Sequence, residues 1–205
     1  MGLSLGTRMT VIRLKGGGVA LHSPIPLAGS LKAEVDAMGE VRHIICPNVY
    51  HHVYAGDALA HYPDAKLHGP KGLFRKRKDL SFDAELSNTP HPDWADDLVP
   101  ITIEGCMLKE TIFVHSASGT VVSVDLAENF KHADDLFTRT YLKANGIYGR
   151  VGWSRVLRGV YRDKKAARRC IDTILEHDFD RAIISHGEII AKDAKDAIRA
   201  TFHFL

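Results

Sequence analysis

The chain of 205 residues is poor in cysteine, in net charge and in long apolar segments, and each shortage excludes a class of protein. Its three cysteines, Cys46, Cys106 and Cys170, are widely spaced and form no C-x-x-C pair, which argues against a disulfide framework. A formal net charge of +2 is too small to indicate nucleic-acid binding by itself. No run of about 18 apolar residues occurs, so we expect no membrane span.

The N-terminal residues also lack the apolar core and small-residue cleavage site of a signal peptide, so we expect a cytoplasmic protein. A hydrophobic fraction of 45% with 25% charged residues is typical of a folded globular chain. Because neither an internal repeat nor a linker is visible, the sequence predicts one domain over residues 1–205.

Apolar periodicity predicts a layered α/β arrangement in which strands and helices follow one another closely. Residues 81–97 are rich in Pro, Asp and Asn and are predicted to form a surface loop. Strands are predicted at 9–14, 18–25, 42–48, 65–70, 98–105, 110–117, 119–127 and 181–187, and helices at 30–39, 53–63, 132–145, 153–177 and 191–205.

Polar side chains follow four of the predicted strands at the point where each strand ends. They are His51 and His52 after the third strand, Cys106 after the fifth, and Asp125 and His186 near the ends of the last two. A sheet holds the backbone rigid while the loops at its edge let such side chains converge. Because imidazole and carboxylate groups both bind zinc, iron and manganese, these residues indicate a metal site.

The adjacency of His51 and His52 is informative because neighbours on a strand point to opposite faces. Pro47 ends the strand before them, and on the turn that follows both side chains can face one pocket. Most of the 12 histidines are expected to be ordinary core or surface residues. Asp125 and His186 are stronger candidates, since each follows an apolar strand and a buried carboxylate needs a partner.

The order of these segments resembles the metallo-β-lactamase superfamily, and more closely its small DUF4336-type subgroup. The superfamily carries H-x-H-x-D-H, then G-H-T, then a strand ending in G-D, and finally a strand ending in histidine. The corresponding segments here are "PNVYHH", "GCM", "SVDL" and "SHGE". The resemblance implies a four-layer αβ/βα sandwich, with two mixed sheets flanked by helices and a metal site at one edge of the sheets.

The chain departs from this motif at the first of the superfamily's two metal positions. Pro47 and Val49 fall where its histidines belong, Cys106 replaces a third, and neither Pro47 nor Val49 can bind a metal. The second position remains, and the ligands that the resemblance implies there are His51, His52, Asp125 and His186. A shift of the alignment by one residue would bring Asn48 or Tyr50 into the pocket, for which Cys106 and Glu110 are further candidates.

We therefore expect a metal-dependent hydrolase with one divalent transition metal, zinc, iron or manganese, acting on a small-molecule ester, thioester or phosphate. His52, Asp125 and His186 would hold the metal, His51 would be a fourth ligand, and Asp125 would also be the catalytic orienting base. Four protein ligands would leave a tetrahedral ion no open position, which is typical of a structural site.

Two other hypotheses remain from the sequence. The chain could be a degenerate member of the fold that binds no metal and serves as a binding protein. The basic segments 74–79 and 150–169 would suit a nuclease-like role, although solvated surface is the default interpretation of such segments, so nucleic acid is not the expected partner. A homo-oligomer is compatible with the sequence.

Overall fold

Two β-sheets packed face to face form the centre of the protein, whose computed structural model describes residues 3–205. The first half contains β1 (Thr10–Arg13), β2 (Gly18–His22), α1 (Leu31–Asp36), β3 (Glu40–Ile45), α2 (Ala55–His61), β4 (Lys66–Gly69), α3 (Lys71–Lys76) and β5 (Ala84–Glu85). The second half contains β6 (Leu98–Thr102), β7 (Thr111–His115), β8 (Thr120–Val122), β9 (Glu128–Asn129), α4 (Leu136–Ala144), β10 (Val151–Gly152), α5 (Lys164–Glu176), β11 (Arg181–Ile183) and α6 (Ala194–Thr201).

Both large sheets are mixed, as the fold class requires. The first has the strand order β1-β2-β3-β4-β5, with β1 and β2 antiparallel and the other neighbours parallel. The second has the order β11-β8-β7-β6, in which only β11 and β8 run parallel. In each sheet the parallel strands end at one edge, so the loops after β3, β8 and β11 can carry side chains to a common place.

Three apolar clusters fix the order of the four layers. Ala20 and Ile45 of the first sheet pack between the sheets with Phe113 and Val122 of the second. The outer face of the first sheet packs on α1, α2 and α3, and the outer face of the second packs on α5 and α6. The predicted αβ/βα sandwich is therefore confirmed, because both sheets bury two faces and the helices cover only the outer ones.

The structure differs from the sequence prediction in several connecting elements. The predicted helix over 153–177 is wrong in its first part, where residues 156–160 form a short 3₁₀ turn and α5 begins only at Lys164. Asp163 sets this start, because its side chain accepts a hydrogen bond of 3.0 Å from the backbone N–H of Ala166. Helix α3 and the small β9–β10 sheet were not predicted, and the predicted loop 81–97 includes β5.

No helix within residues 3–205 is both long enough and apolar enough to span a lipid bilayer.

Gly187 permits a close approach of two chain segments directly after β11. Its φ is 85°, and a Cβ placed on it would lie 2.2 Å from the backbone oxygen of Asn129. Gly149 has a similar φ of 76° but open space around it, so it isolates the cost of the backbone conformation. We expect Gly149→Ala to lower the free energy of unfolding by about 1–2 kcal/mol.

Gly187→Ala should lower the free energy of unfolding by roughly 3 kcal/mol or more, because the clash adds to the conformational strain. Urea denaturation of both variants measures the difference. Equal losses in the two variants would show that the contact with Asn129 places no constraint on this loop.

Candidate metal centre

Three side chains from distant parts of the chain meet at the edge of the two sheets. His51, Asp125 and His186 each offer one ligand atom, and these atoms lie within 4.8 Å of one another. The Nε2 atom of His186 is 3.1 Å from Oδ1 of Asp125, and Nε2 of His51 is 3.5 Å from the same oxygen. All three side chains are largely buried, so one carboxylate oxygen faces two imidazole nitrogens in a space mostly shielded from solvent.

The turn after β3 is built around the side chain of Asn48. Its Oδ1 accepts hydrogen bonds of 2.9 Å from the backbone N–H groups of both Tyr50 and His51. An amide side chain that accepts from the backbone two and three residues ahead fixes a tight turn. Asn48 thus orients His51, and its Nδ2 also donates to Oδ2 of Asp125 over 2.6 Å.

Glu110 holds the segment that carries Asp125 in place through hydrogen bonds. Its carboxylate is buried and accepts hydrogen bonds from Ser123 Oγ, from the backbone N–H of Val124 and, at 3.1 Å, from that of Asp125. Burial, together with the neighbouring Asp125 charge, raises the pKa of Glu110 to about 8. Glu110 therefore positions the Asp125 backbone, and within residues 3–205 it makes no hydrogen bond with either histidine.

The charge of Asp125 is balanced by its neighbours. Burial would raise the pKa of this carboxyl group, but its hydrogen bonds with His186 and His51 outweigh burial and hold the pKa below the ordinary value. Burial would lower the pKa of His186, and the contact with Asp125 outweighs it and raises that pKa. The contact between the two groups therefore favours the charged form of each.

The outer nitrogens of both histidines are engaged by groups that the sequence did not single out. Nδ1 of His186 donates to the carbonyl oxygen of Gly6 over 2.9 Å, so Nε2 is the nitrogen that faces Asp125. Nδ1 of His51 is 2.9 Å from Oγ of Ser23, at the end of β2. Ser23 has a φ of 57°, a conformation rarely adopted outside glycine that coincides here with the site.

The prediction that His52 belongs to this centre differs from the structure. Nη1 of Arg77 lies 3.0 Å from Nδ1 of His52 and also donates to its backbone oxygen over 2.9 Å. Because the tight turn sends consecutive side chains in different directions, His51 faces Asp125 while His52 packs on the end of α3. Burial and the nearby charges of Lys76 and Arg77 lower the pKa of His52.

The remaining candidates have separate positions. The Tyr50 side chain is 60% exposed and lies beside the Lys76 ammonium group, which is 5.3 Å from the ring centre. Cys106 is buried, and its backbone pairs with that of Tyr161. Neither residue belongs to the group of converging ligand atoms within residues 3–205, whereas Asn48 and Glu110 hold that group in place.

Comparison with known proteins defines the class of the fold. A metallo-β-lactamase from Pontibacter korlensis superposes with a TM-score of 0.61 at 10% identity, covering 96% of this chain and 85% of that one. TTHA1623 in a di-iron-bound form superposes with a TM-score of 0.60 at 15% identity, and the match covers 100% of this chain and 98% of that one. The chemotaxis sensor ODP, described with a peroxy diiron species, superposes with a TM-score of 0.64 at 14% identity, and the match covers 98% of this chain and 88% of that one. The fold is therefore metallo-β-lactamase-like.

The family follows from the sequence match. The sequence model of the family described as a domain of unknown function, DUF4336, matches residues 1–133. The chain belongs to this family. No curated protein shows significant similarity to the chain in sequence.

The resemblance places Cys106 at the position of a metal-binding histidine, and the reactivity of its thiol can be measured. Burial raises the pKa of its thiol to about 11 and that of Cys46 to about 12. Both thiols are therefore protonated near neutral pH, where a nucleophilic cysteine would be a thiolate.

We expect a disulfide reagent at about pH 8 to modify at most Cys170 in the native protein and all three cysteines after denaturation. Cys170→Ser should then leave the native protein unreactive. Rapid modification of native Cys170→Ser at Cys106 would contradict its assignment as a buried, protonated thiol.

Proposed function

We propose that the chain is a metal-dependent hydrolase with a mononuclear centre held by His51, Asp125 and His186. The observation that carries this proposal is the approach of two imidazole nitrogens to the same carboxylate oxygen. Two imidazoles and a carboxylate form a ligand set found in catalytic zinc sites and in non-haem iron sites. The proposal therefore includes zinc, iron or manganese as the metal.

The hydrogen bonds around the three residues suit a cation. The Nδ1 atoms contact Ser23 and Gly6, so both Nε2 atoms face inward, where loss of the proton from His186 would free a lone pair. Asn48 occupies Oδ2 of Asp125, and Oδ1 is the oxygen near the histidines. Such outer contacts fix the orientation and tautomer of metal-binding histidines.

The position of His52 supports a catalytic rather than a structural centre. With His52 held by Arg77, three protein ligands remain, and a tetrahedral ion would keep one open position. Pro47 and Val49 offer no donor side chain at the other metal position of the motif, which supports a single metal.

A divalent ion bound at this centre would make water more acidic and would polarise a carbonyl or phosphoryl oxygen of a substrate. The chain's own residues supply the rest. Asp125 is positioned by Asn48 on one oxygen and by Glu110 through its backbone, so it can orient a hydrogen-bonding substrate or water. We propose a small-molecule ester, thioester or phosphate as the substrate.

We extend the proposal to one catalytic domain formed by residues 1–205 and to a cytoplasmic protein. The cores on both sides of the double sheet support the first point, because neither sheet buries both faces without the other. The three free cysteines suit a reducing compartment.

A degenerate, non-catalytic binding protein is the second candidate. It is favoured by the satisfaction of Asp125 without a cation, through Asn48 and the ion pair with His186. A purified protein that takes up no transition metal at this centre after reconstitution would support it.

Neighbouring alanine substitutions test the proposed ligand set. His51→Ala should remove one equivalent of transition metal and lower hydrolysis by more than about 100-fold, because it deletes a ligand. His52→Ala is the matched control, and it should preserve both. Elemental analysis and assays with chromogenic esters, thioesters and phosphodiesters measure the two effects. Loss of metal in His52→Ala with retention in His51→Ala would contradict the assignment.

A further inference from the structure

A second group of metal-binding side chains lies away from the first centre, where β3 and β4 face the loop after β5. His43, His91 and Asp93 offer ligand atoms that lie within 4.8 Å of one another. Nε2 of His43 is 3.3 Å from Oδ2 of Asp93, and Nδ1 of His91 is 3.6 Å from the same oxygen. His68 of β4 lies behind His43, on the side away from Asp93.

The inner nitrogen of His43 has no ordinary partner. Its side chain is completely buried, and among residues 3–205 its Nε2 makes no hydrogen bond, although Asp93 is near. A buried polar atom without a partner costs free energy, so the position calls for an additional group. An ion between His43 and Asp93 would provide one.

The hydrogen bond behind His43 can prepare this nitrogen for a cation. Nδ1 of His43 is 3.1 Å from Nε2 of His68, so one of the two nitrogens donates to the other. When His43 donates, its Nε2 carries a free lone pair directed to the side of Asp93.

A small cavity adjoins one of the three residues, His91, together with His68. It has a volume of about 200 Å³ and is lined by His68, His91 and Trp94, with Phe113 among the apolar residues around it. The Nε1 atom of Trp94 is buried and has no hydrogen-bond partner within residues 3–205. The cavity provides room for water beside His91, and an ion with fewer protein ligands than coordination positions requires such water.

Two existing contacts would have to yield to the ion. Lys66 Nζ lies 3.2 Å from Oδ2 of Asp93, and the backbone N–H of Asp93 donates to Nδ1 of His91 over 3.2 Å. The lysine and aspartate side chains are both about half exposed, so their ion pair contributes little stability and can open at small cost. The hydrogen bond to Nδ1 of His91 is long, and a cation would take the place of the Asp93 N–H group at the lone pair of this nitrogen.

We propose that His43, His91 and Asp93 bind a second divalent transition metal ion, with His68 positioning His43. The ligand set of two imidazoles and one carboxylate selects zinc-class metals over calcium and magnesium, which prefer oxygen ligands. The ion would fasten the loop that carries His91 and Asp93 to the first sheet. This site does not depend on the hydrolase activity proposed for the first centre.

The test uses the Asp125→Asn protein, in which the first centre is disabled, so that binding at the second can be measured alone. Titration with Co²⁺ and Zn²⁺ should show one remaining equivalent, with the visible absorption of nitrogen-ligated Co²⁺. Added Zn²⁺ should raise the melting temperature, because an ion that binds only the folded state stabilises it. A His51→Ala background repeats the experiment if Asp125→Asn is unstable.

Adding His91→Ala or Asp93→Asn should raise the dissociation constant by about 100-fold or more and abolish the thermal shift. Both residues lie outside the fully buried core, so folding should persist, as circular dichroism will show. His61→Ala, at an exposed histidine, is the matched control and should leave binding unchanged. Folded Asp125→Asn or His51→Ala protein that binds no metal, or binds it equally well without His91, would overturn the proposal.

Discussion

A buried carboxylate must find partners on every side, and Asp125 finds them on both sheets of the protein. Asn48 and His51 come from the turn after the central strand of the first sheet, and His186 follows an edge strand of the second. These contacts offset the desolvation that would otherwise neutralise the group. Asp125 therefore keeps its charge only while the two sheets hold these partners around it, and the contacts in turn help to fix the position of one sheet on the other.

The same arrangement determines how many protein ligands a metal would have. The Asn48 side chain turns the backbone so that His51 faces Asp125, and the next residue is directed to Arg77 instead. A metal at the proposed site would therefore have three protein ligands, which would leave a tetrahedral ion one open position. The amide of Asn48 thus has a structural role in the turn.

Both proposed metal sites include a histidine from the first sheet or from the turn that follows it. His43 lies within β3, and His51 follows the end of the same strand. The first sheet thus contributes one residue to each proposed site, and the other residues of each site come from different loops. Any stabilisation by metal at the second site would act on the segment between β5 and β6, far along the chain from Asp125 and His186.

Much of the architecture follows from local patterns in the sequence. Strands such as β3 and β7 are β-branched and apolar, and the polar residues that follow β3, β8 and β11 could be found without a structure. Short elements such as α3 contain too few periodic residues to be recognised. The segment before α5 has a helix-like apolar pattern, but it contains Gly159, which disfavours a helix.

The details of the site depend on contacts between remote residues, which a single sequence does not display. The choice between His51 and His52 is made by the Asn48 turn and by Arg77, 25 residues further along the chain. Ser23 and Gly6 carry no catalytic pattern, and only folding brings them to the outer nitrogens of the two histidines. Asn48 was a visible candidate because it lies between the strand and the histidine pair.

Most of this interpretation depends on one metal ion bound among His51, Asp125 and His186. Anomalous diffraction from crystals of the reconstituted protein, recorded across the zinc, iron and manganese edges, tests it most directly. We expect an anomalous peak within bonding distance of Nε2 of His51, Oδ1 of Asp125 and Nε2 of His186, with the His52 side chain still in contact with Arg77. A peak bonded to His52, or fully metallated protein with no peak at these three atoms, would contradict it.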